Sequence, residues 1–518
     1  MLKFVAGLGL LASSSIASAA WQRAESAHFI VYAETDAAVI RDAAVRLEKL
    51  DGVQRFIAGI PAAAVPSARK VKVYLLADDF AVQETMPWPY RGVAGYYQAG
   101  VRGPIAVNTR TDAKAIGFPA QFVLFHELTH HFMFQYFNAA YPIWYREGLA
   151  DFIGTTTFEA NDVARVGEPA ANRYYAFQGE RKYAWISMGK LLATSSGANL
   201  GDRGDLIYSE GWLLTHYLTL GGTRSGQLRI YLQAINAGKP YADAARTAFG
   251  DLSALDKELH AYARRKTLTV KLLPMTAAKD TPVTVTAVGP AQSALMLYDI
   301  RMSAGVPARG AERFVNSLRK LAVRYPDDPG ALQLRMEADR LVGDRADRTV
   351  ALAAWRKVEP DSPLLMLHDA LLRQDRLVAD KTVDPKAWDA VRETLIAANR
   401  ARRGDPAILY AYYDSFVAQG IAPTPGAQNT LHNALSIAPQ NDEIRYVLAS
   451  DYEKRGMIKE AIDTIRAAAY SDDEDPKKSE WAKANDEKAR AMYRIAGETL
   501  HETARQMLTR LERLSRLN

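Results

Sequence analysis

The stretch from Pro119 to Phe137 constrains the fold more than any other part of the chain. It is nearly apolar, interrupted only by Gln121, Gln135 and a His/Glu/Thr cluster centred on His126-Glu127-Leu128-Thr129-His130. Pro119, after Gly117-Phe118, suits the first turn of a helix, and a helix this apolar must be buried. Residues four apart share a helix face, so His126 and His130 stand one turn apart with Glu127 beside them. Burying such groups unpaired costs several kcal/mol. A metal ion resolves the conflict, because His-Glu-x-x-His on a helix presents two imidazoles with the spacing that Zn²⁺ requires.

The chain contains no cysteine. Disulfides, thiolate ligands and a cysteine nucleophile are therefore excluded, and any metal site must use nitrogen and oxygen donors. A third histidine in the extended form of the motif is also excluded, since the positions that need Gly and His hold Met133 and Tyr136. The next helical stretch, from Pro142 through Phe152, offers Glu147 and Asp151 four residues apart and so on one face. That spacing lets Glu147 bind the metal while Asp151 accepts the outer N–H of a ligand imidazole and fixes its tautomer.

At these residues the chain resembles the gluzincins, the zinc peptidases that include thermolysin and the zinc aminopeptidases. The resemblance covers about Phe29 to Arg264 and is strongest from Phe122 to Phe152. It implies an α+β zincin-like domain, a Zn²⁺ ion held by His126, His130 and Glu147, and hydrolysis of a peptide or protein substrate. Glu127 would take a proton from the metal's water and pass it to the leaving amine. The resemblance extends to Tyr208-Ser209-Glu210-Gly211, where the aminopeptidase branch places a tyrosine that stabilises the oxyanion, and Tyr208 is the matching position. His131 and His216 read as supporting or packing residues. The Gly-x-Met-Glu-Asn segment with which the aminopeptidases bind a substrate amine is missing. Free-amine recognition is thus not implied, and Gly92 to Asn108 reads as a hairpin or edge strand that could pair with an extended peptide, as suits an endopeptidase.

Upstream of the motif, strand patterns at His28–Tyr32 and Lys70–Leu76 flank an amphipathic helix from Asp36 to Ala58. Helical pattern returns at Tyr208–Leu220 and Ser253–Arg264. From Lys266 to about Val288 the sequence turns to Thr/Val alternation with Pro274 and Pro282, read as a linker or small β segment. The expected units are a zincin-like domain over 20–265, the linker over 266–310, and an all-α region over 311–518. In that last region Pro329 to Pro363, like Asp442 to Pro476, spans the tetratricopeptide period of 34 residues. The clearest unit, from Asp442 to Asp473, places Leu448, Ala449, Tyr452, Gly456, Ala461 and Ala468 where that repeat packs. Leu508, Leu511, Leu514 and Leu517 would cap the stack. This resembles a tetratricopeptide-like helical-repeat solenoid, which implies a protein partner recruited apart from catalysis.

Residues 1–19 carry Lys3, an apolar run from Phe4 to Ala12 and an Ala17-Ser18-Ala19 end, the layout of a cleavable secretory signal. Secretion, into a bacterial periplasm, is expected, with no stable membrane insertion after cleavage. The 65 basic and 59 acidic residues give a net charge of +6 spread along the chain, so nothing points to nucleic acid. Two other functions stay open: an interaction protein whose zincin-like domain is inactive, and a zinc hydrolase of a non-peptide amide.

Overall fold

The computed structural model describes residues 20–61, 69–87, 93–112, 119–137, 139–171, 173, 185–195, 200, 203–275, 281–307, 309–471 and 502–517. The expected signal over 1–19 and the Gly117-Phe118 lead-in lie outside them. The chain opens with strands β1 (Trp21–Glu25) and β2 (Phe29–Glu34), helix α1 (Ala37–Ala58), β3 (Val71–Leu76), α2 (Asp79–Thr85) and a hairpin of β4 (Gly95–Gly100) and β5 (Gly103–Thr109). Next come α3 (Ala120–Tyr136), α4 (Ile143–Gly154), β6 (Thr157–Phe158), β7 (Val163–Val166), α5 (Met188–Leu191) and α6 (Leu206–Leu220). Then follow α7 (Gln227–Asn236), α8 (Tyr241–Phe249), α9 (Leu252–Ala263), β8 (Lys271–Pro274) and β9 (Thr284–Ala287).

Six strands form one mixed sheet in the order β4-β5-β3-β2-β1-β9, with β2, β3 and β5 parallel and β4 at one edge. Alternation along each strand sends side chains to both faces. Phe29, Val31, Val71, Val73 and Ala106 meet α1 and α3 through Ile40, Leu47, Phe125 and Leu128. On the other face Ile30, Tyr32, Tyr74, Ile105 and Val107 meet Val82 of α2 and Met296 and Ile300 of α10 (Pro290–Ala304). Covering both faces explains why these strands read as nearly continuous apolar runs.

The stretch read as a linker or small β segment carries two strands and is woven into the first domain. β9 pairs with β1, β8 completes a second sheet of order β6-β7-β8, and α10 covers the second face of the main sheet. Pattern analysis misses α10 for a physical reason. Its Met296 and Ile300 face the sheet while Leu295 and Met302 pack against the following helix, so no single apolar stripe forms.

An N-terminal α/β region is therefore followed by a series of helices consistent with a helical-repeat solenoid. After α10 come α11 (Ala311–Ala322), α12 (Pro329–Leu341), α13 (Arg345–Val358), α14 (Pro363–Ala379), α15 (Pro385–Ala401), α16 (Pro406–Gln419) and α17 (Pro425–Ile437). The series ends with α18 (Asp442–Lys454), α19 (Ile458–Ser471) and α20 (Ala504–Ser515). From α12 to α19 they pack as successive pairs, while α10 and α11 pack on each other and on α12, so the helical series starts one helix earlier than Ala311. Proline at the first turn of α10, α12, α14, α15, α16 and α17 supplies a preset φ where the missing N–H costs nothing. Gly456 turns α18 into α19 at φ 73°, a conformation glycine adopts without strain. Leu508 and Leu511 of α20 are buried against Ala461 and Ile465, whereas Leu517 is exposed. Among the described residues no helix is long and apolar enough to cross a membrane.

Candidate metal centre

α3 lies against the sheet edge at β4 and β5, and α4 packs on its other side. This pairing brings His126, His130 and Glu147 together. His126 Nε2 is 3.1 Å from His130 Nε2, and Glu147 Oε2 lies 3.3 Å from the first and 3.5 Å from the second. Donors bound at ~2.0–2.1 Å to a tetrahedral zinc ion stand ~3.3–3.4 Å apart, so the triangle has the dimensions of such a site. Among the described residues these three form a group able to hold a metal.

The electrostatics point the same way. Burial, the largest influence on His126, lowers its pKa, yet hydrogen bonds to Asp151 and Glu147 outweigh it and the net shift is upward. Burial pushes the Glu147 carboxyl up, but His130, His126 and Arg146 overcome it and hold Glu147 well below the usual carboxylate range. The cluster is thus arranged around positive charge, which a proton or a divalent cation supplies.

A second ring of groups fixes the first. Asp151, fully buried, accepts from His126 Nδ1 at 2.8 Å and from Arg173 Nε at 2.7 Å. With Nδ1 engaged by Asp151, Nε2 is the nitrogen directed at Glu147, and in the neutral imidazole it carries the lone pair. Arg146 Nε donates to Glu147 Oε1 at 3.0 Å and leaves Oε2 turned toward the imidazoles. Glu127 is half-buried beside the cluster. Desolvation raises its pKa and Glu147 adds to the effect, against His126, His130 and the Tyr97 backbone N–H. The Tyr208 ring lies 6.4 Å from the His126 ring, centroid to centroid, with the Arg173 guanidinium 4.6 Å from the Tyr208 centroid.

Tyr208 reaches this place because α4 and α6 approach at two glycines. A Cβ on Gly148 would sit 2.3 Å from the Gly211 carbonyl, and one on Gly211 would sit 2.3 Å from the Trp144 oxygen. The glycines beside Glu147 and after Tyr208 are therefore packing residues. His131 and His216 lie apart from the cluster. His131 Nδ1 contacts the Tyr97 hydroxyl at 3.0 Å, next to a small cavity lined by His28, Asp51, Gln54 and Gln135. His216 is buried between the Tyr262 hydroxyl and the Gly167 carbonyl.

Every residue the sequence nominates for the site, His126, Glu127, His130, Glu147, Asp151 and Tyr208, thus falls within one neighbourhood. Arg146, Arg173 and Tyr97 are additions that sequence reasoning misses. Arg146 carries a weak signal, a charge on a buried helix next to a candidate ligand; the other two have none, because tertiary packing alone brings them in.

No family model matches the chain, and no curated protein matches it. Among solved structures, a thermophilic TPR protein in Thermus thermophilus is similar at 16% identity, over 38% of this chain and 96% of that chain, with a TM-score of 0.30.

Proposed function

We propose that this chain is a secreted, zinc-dependent peptidase of the gluzincin type, acting as an endopeptidase on a peptide or protein substrate. The observation that carries the reading is the His126, His130 and Glu147 triangle, whose edges match a tetrahedral zinc site. Zinc, when bound, polarises a carbonyl and acidifies a water. Glu127, half-buried beside the cluster with its carboxyl pKa raised by burial, is placed to accept a proton and return it to the leaving amine. Asp151, anchored by Arg173, holds His126 in the tautomer that donates from Nδ1. Tyr208, whose ring lies 6.4 Å from that of His126, would donate its hydroxyl to an oxyanion beside the cluster. Digestion of a peptide library by the zinc-loaded chain, with Glu127→Gln as control, tests this. Cleavage that depends on zinc and Glu127 is expected, and cleavage that persists in the control would remove the proposal.

The extent of the helix-pair array favours a second reading, in which the repeats bind a protein partner and the centre hydrolyses nothing. Zinc binding with no cleavage of any library peptide selects it.

A further inference from the structure

The array is tied to the candidate centre at the tip of the β4–β5 hairpin, where Val101 and Arg102 form a two-residue turn. Arg102 donates to Asp299 at 2.7 Å and to Ser303 at 2.7 Å, both on α10, and ion-pairs with Glu337 of α12 at 2.9 Å. Glu337 in turn meets His368 of α14 at 3.4 Å. Val101 enters the apolar cluster of Tyr410 and Tyr413 of α16 and Val447 of α18. The turn thus meets α10 and α12 directly, α14 through Glu337, and the cluster of α16, α17 and α18 through Val101, so one side of the array closes on one turn. The strand behind that turn lies flush with α3. Tyr97 of β4 reaches His131, and at Gly95 a Cβ would come within 2.8 Å of Val123.

We propose that the helical array clamps the β4–β5 hairpin and so holds β4 against α3, making Arg102 a positioning residue for the helix that carries His126 and His130. The clamp stands on these contacts; only its consequence for zinc rests on the function proposed above. Arg102 and Glu337 are both nearly buried; removing Arg102 takes the guanidinium from two carboxylates, Asp299 and Glu337, and removing the Glu337 charge leaves Arg102 its Asp299 pair but no ion pair to α12. The array then has a role within the molecule, beyond any partner it recruits.

The test is hydrogen exchange in the full chain, with the affinity for zinc alone measured alongside. Arg102→Ala and Glu337→Gln should each speed exchange by about tenfold or more over 95–109 and 120–136, leave 385–401 unchanged, and weaken zinc binding by about tenfold. Arg102→Lys should fall between these variants and the wild type, and carries the test if Arg102→Ala fails to fold. Exchange that rises only at 101–102, with 120–136 and zinc affinity as in the wild type, overturns the clamp. A chain that binds no zinc overturns the metal reading, while exchange over 120–136 still decides the clamp.

Discussion

Gly148 of α4 and Gly211 of α6 meet so closely that a Cβ on the first would stand 2.3 Å from the carbonyl of the second. The contact sets Glu147, one residue before Gly148, in the same neighbourhood as Tyr208, three residues before Gly211. A helix crossing thus places a candidate ligand and a candidate oxyanion donor, which sequence spacing alone does not.

Tyr208→Phe tests the oxyanion role. Zinc content and folding should be unchanged, with turnover lower by roughly 10²- to 10³-fold and little change in KM. Wild-type turnover would make Tyr208 a packing residue resting on Arg173.

Glu127→Gln separates base from ligand. The variant should keep zinc, because the three candidate ligands are untouched, and lose about 10²- to 10⁴-fold in turnover. Loss of zinc instead would mean that Glu127 helps to hold the ion.

Asp151→Asn and Arg173→Gln should each weaken zinc binding by about 10- to 100-fold, since His126 loses the anchored acceptor that fixes its ring. Titration with a competing chelator measures this. Unchanged affinity in both would leave the Arg173, Asp151 and His126 chain without a role at the metal.

Glu210 gives stability a pH dependence. Its burial raises the carboxyl pKa to about 8 from an ordinary 4.5, with the Ile186 N–H at 2.8 Å partly opposing. An acid raised in the folded state keeps its proton where the unfolded chain has lost it. Stability is therefore fullest below the ordinary value and declines as pH climbs toward 8. Glu210→Gln should flatten that decline, so that its Tm gains on the wild type at pH 8 relative to pH 5. Equal slopes for the two proteins would contradict the assignment.

Local pattern reveals local features well here. The apolar helix with its His126 and His130 spacing, the Glu147 and Asp151 pair, the strands around α1 and the unit from Asp442 are all carried by periodicities of two or 3.6 residues. What pattern hides is set by contacts between distant segments. β9 joins β1 from across most of the α/β region, and α10 serves two cores and so shows no single stripe. Arg173 and Tyr97 reach the centre only once the chain is folded. The glycines of Glu147-Gly148 and Glu210-Gly211 look like parts of a motif in sequence and prove to be the point where two helix backbones touch.

The central claim is that His126, His130 and Glu147 hold one zinc ion, and metal analysis of the purified full chain tests it most directly. About one zinc per chain is expected, lost in His126→Ala, His130→Ala and Glu147→Ala. A wild-type chain that takes up no stoichiometric zinc, or full occupancy in all three variants, would contradict it.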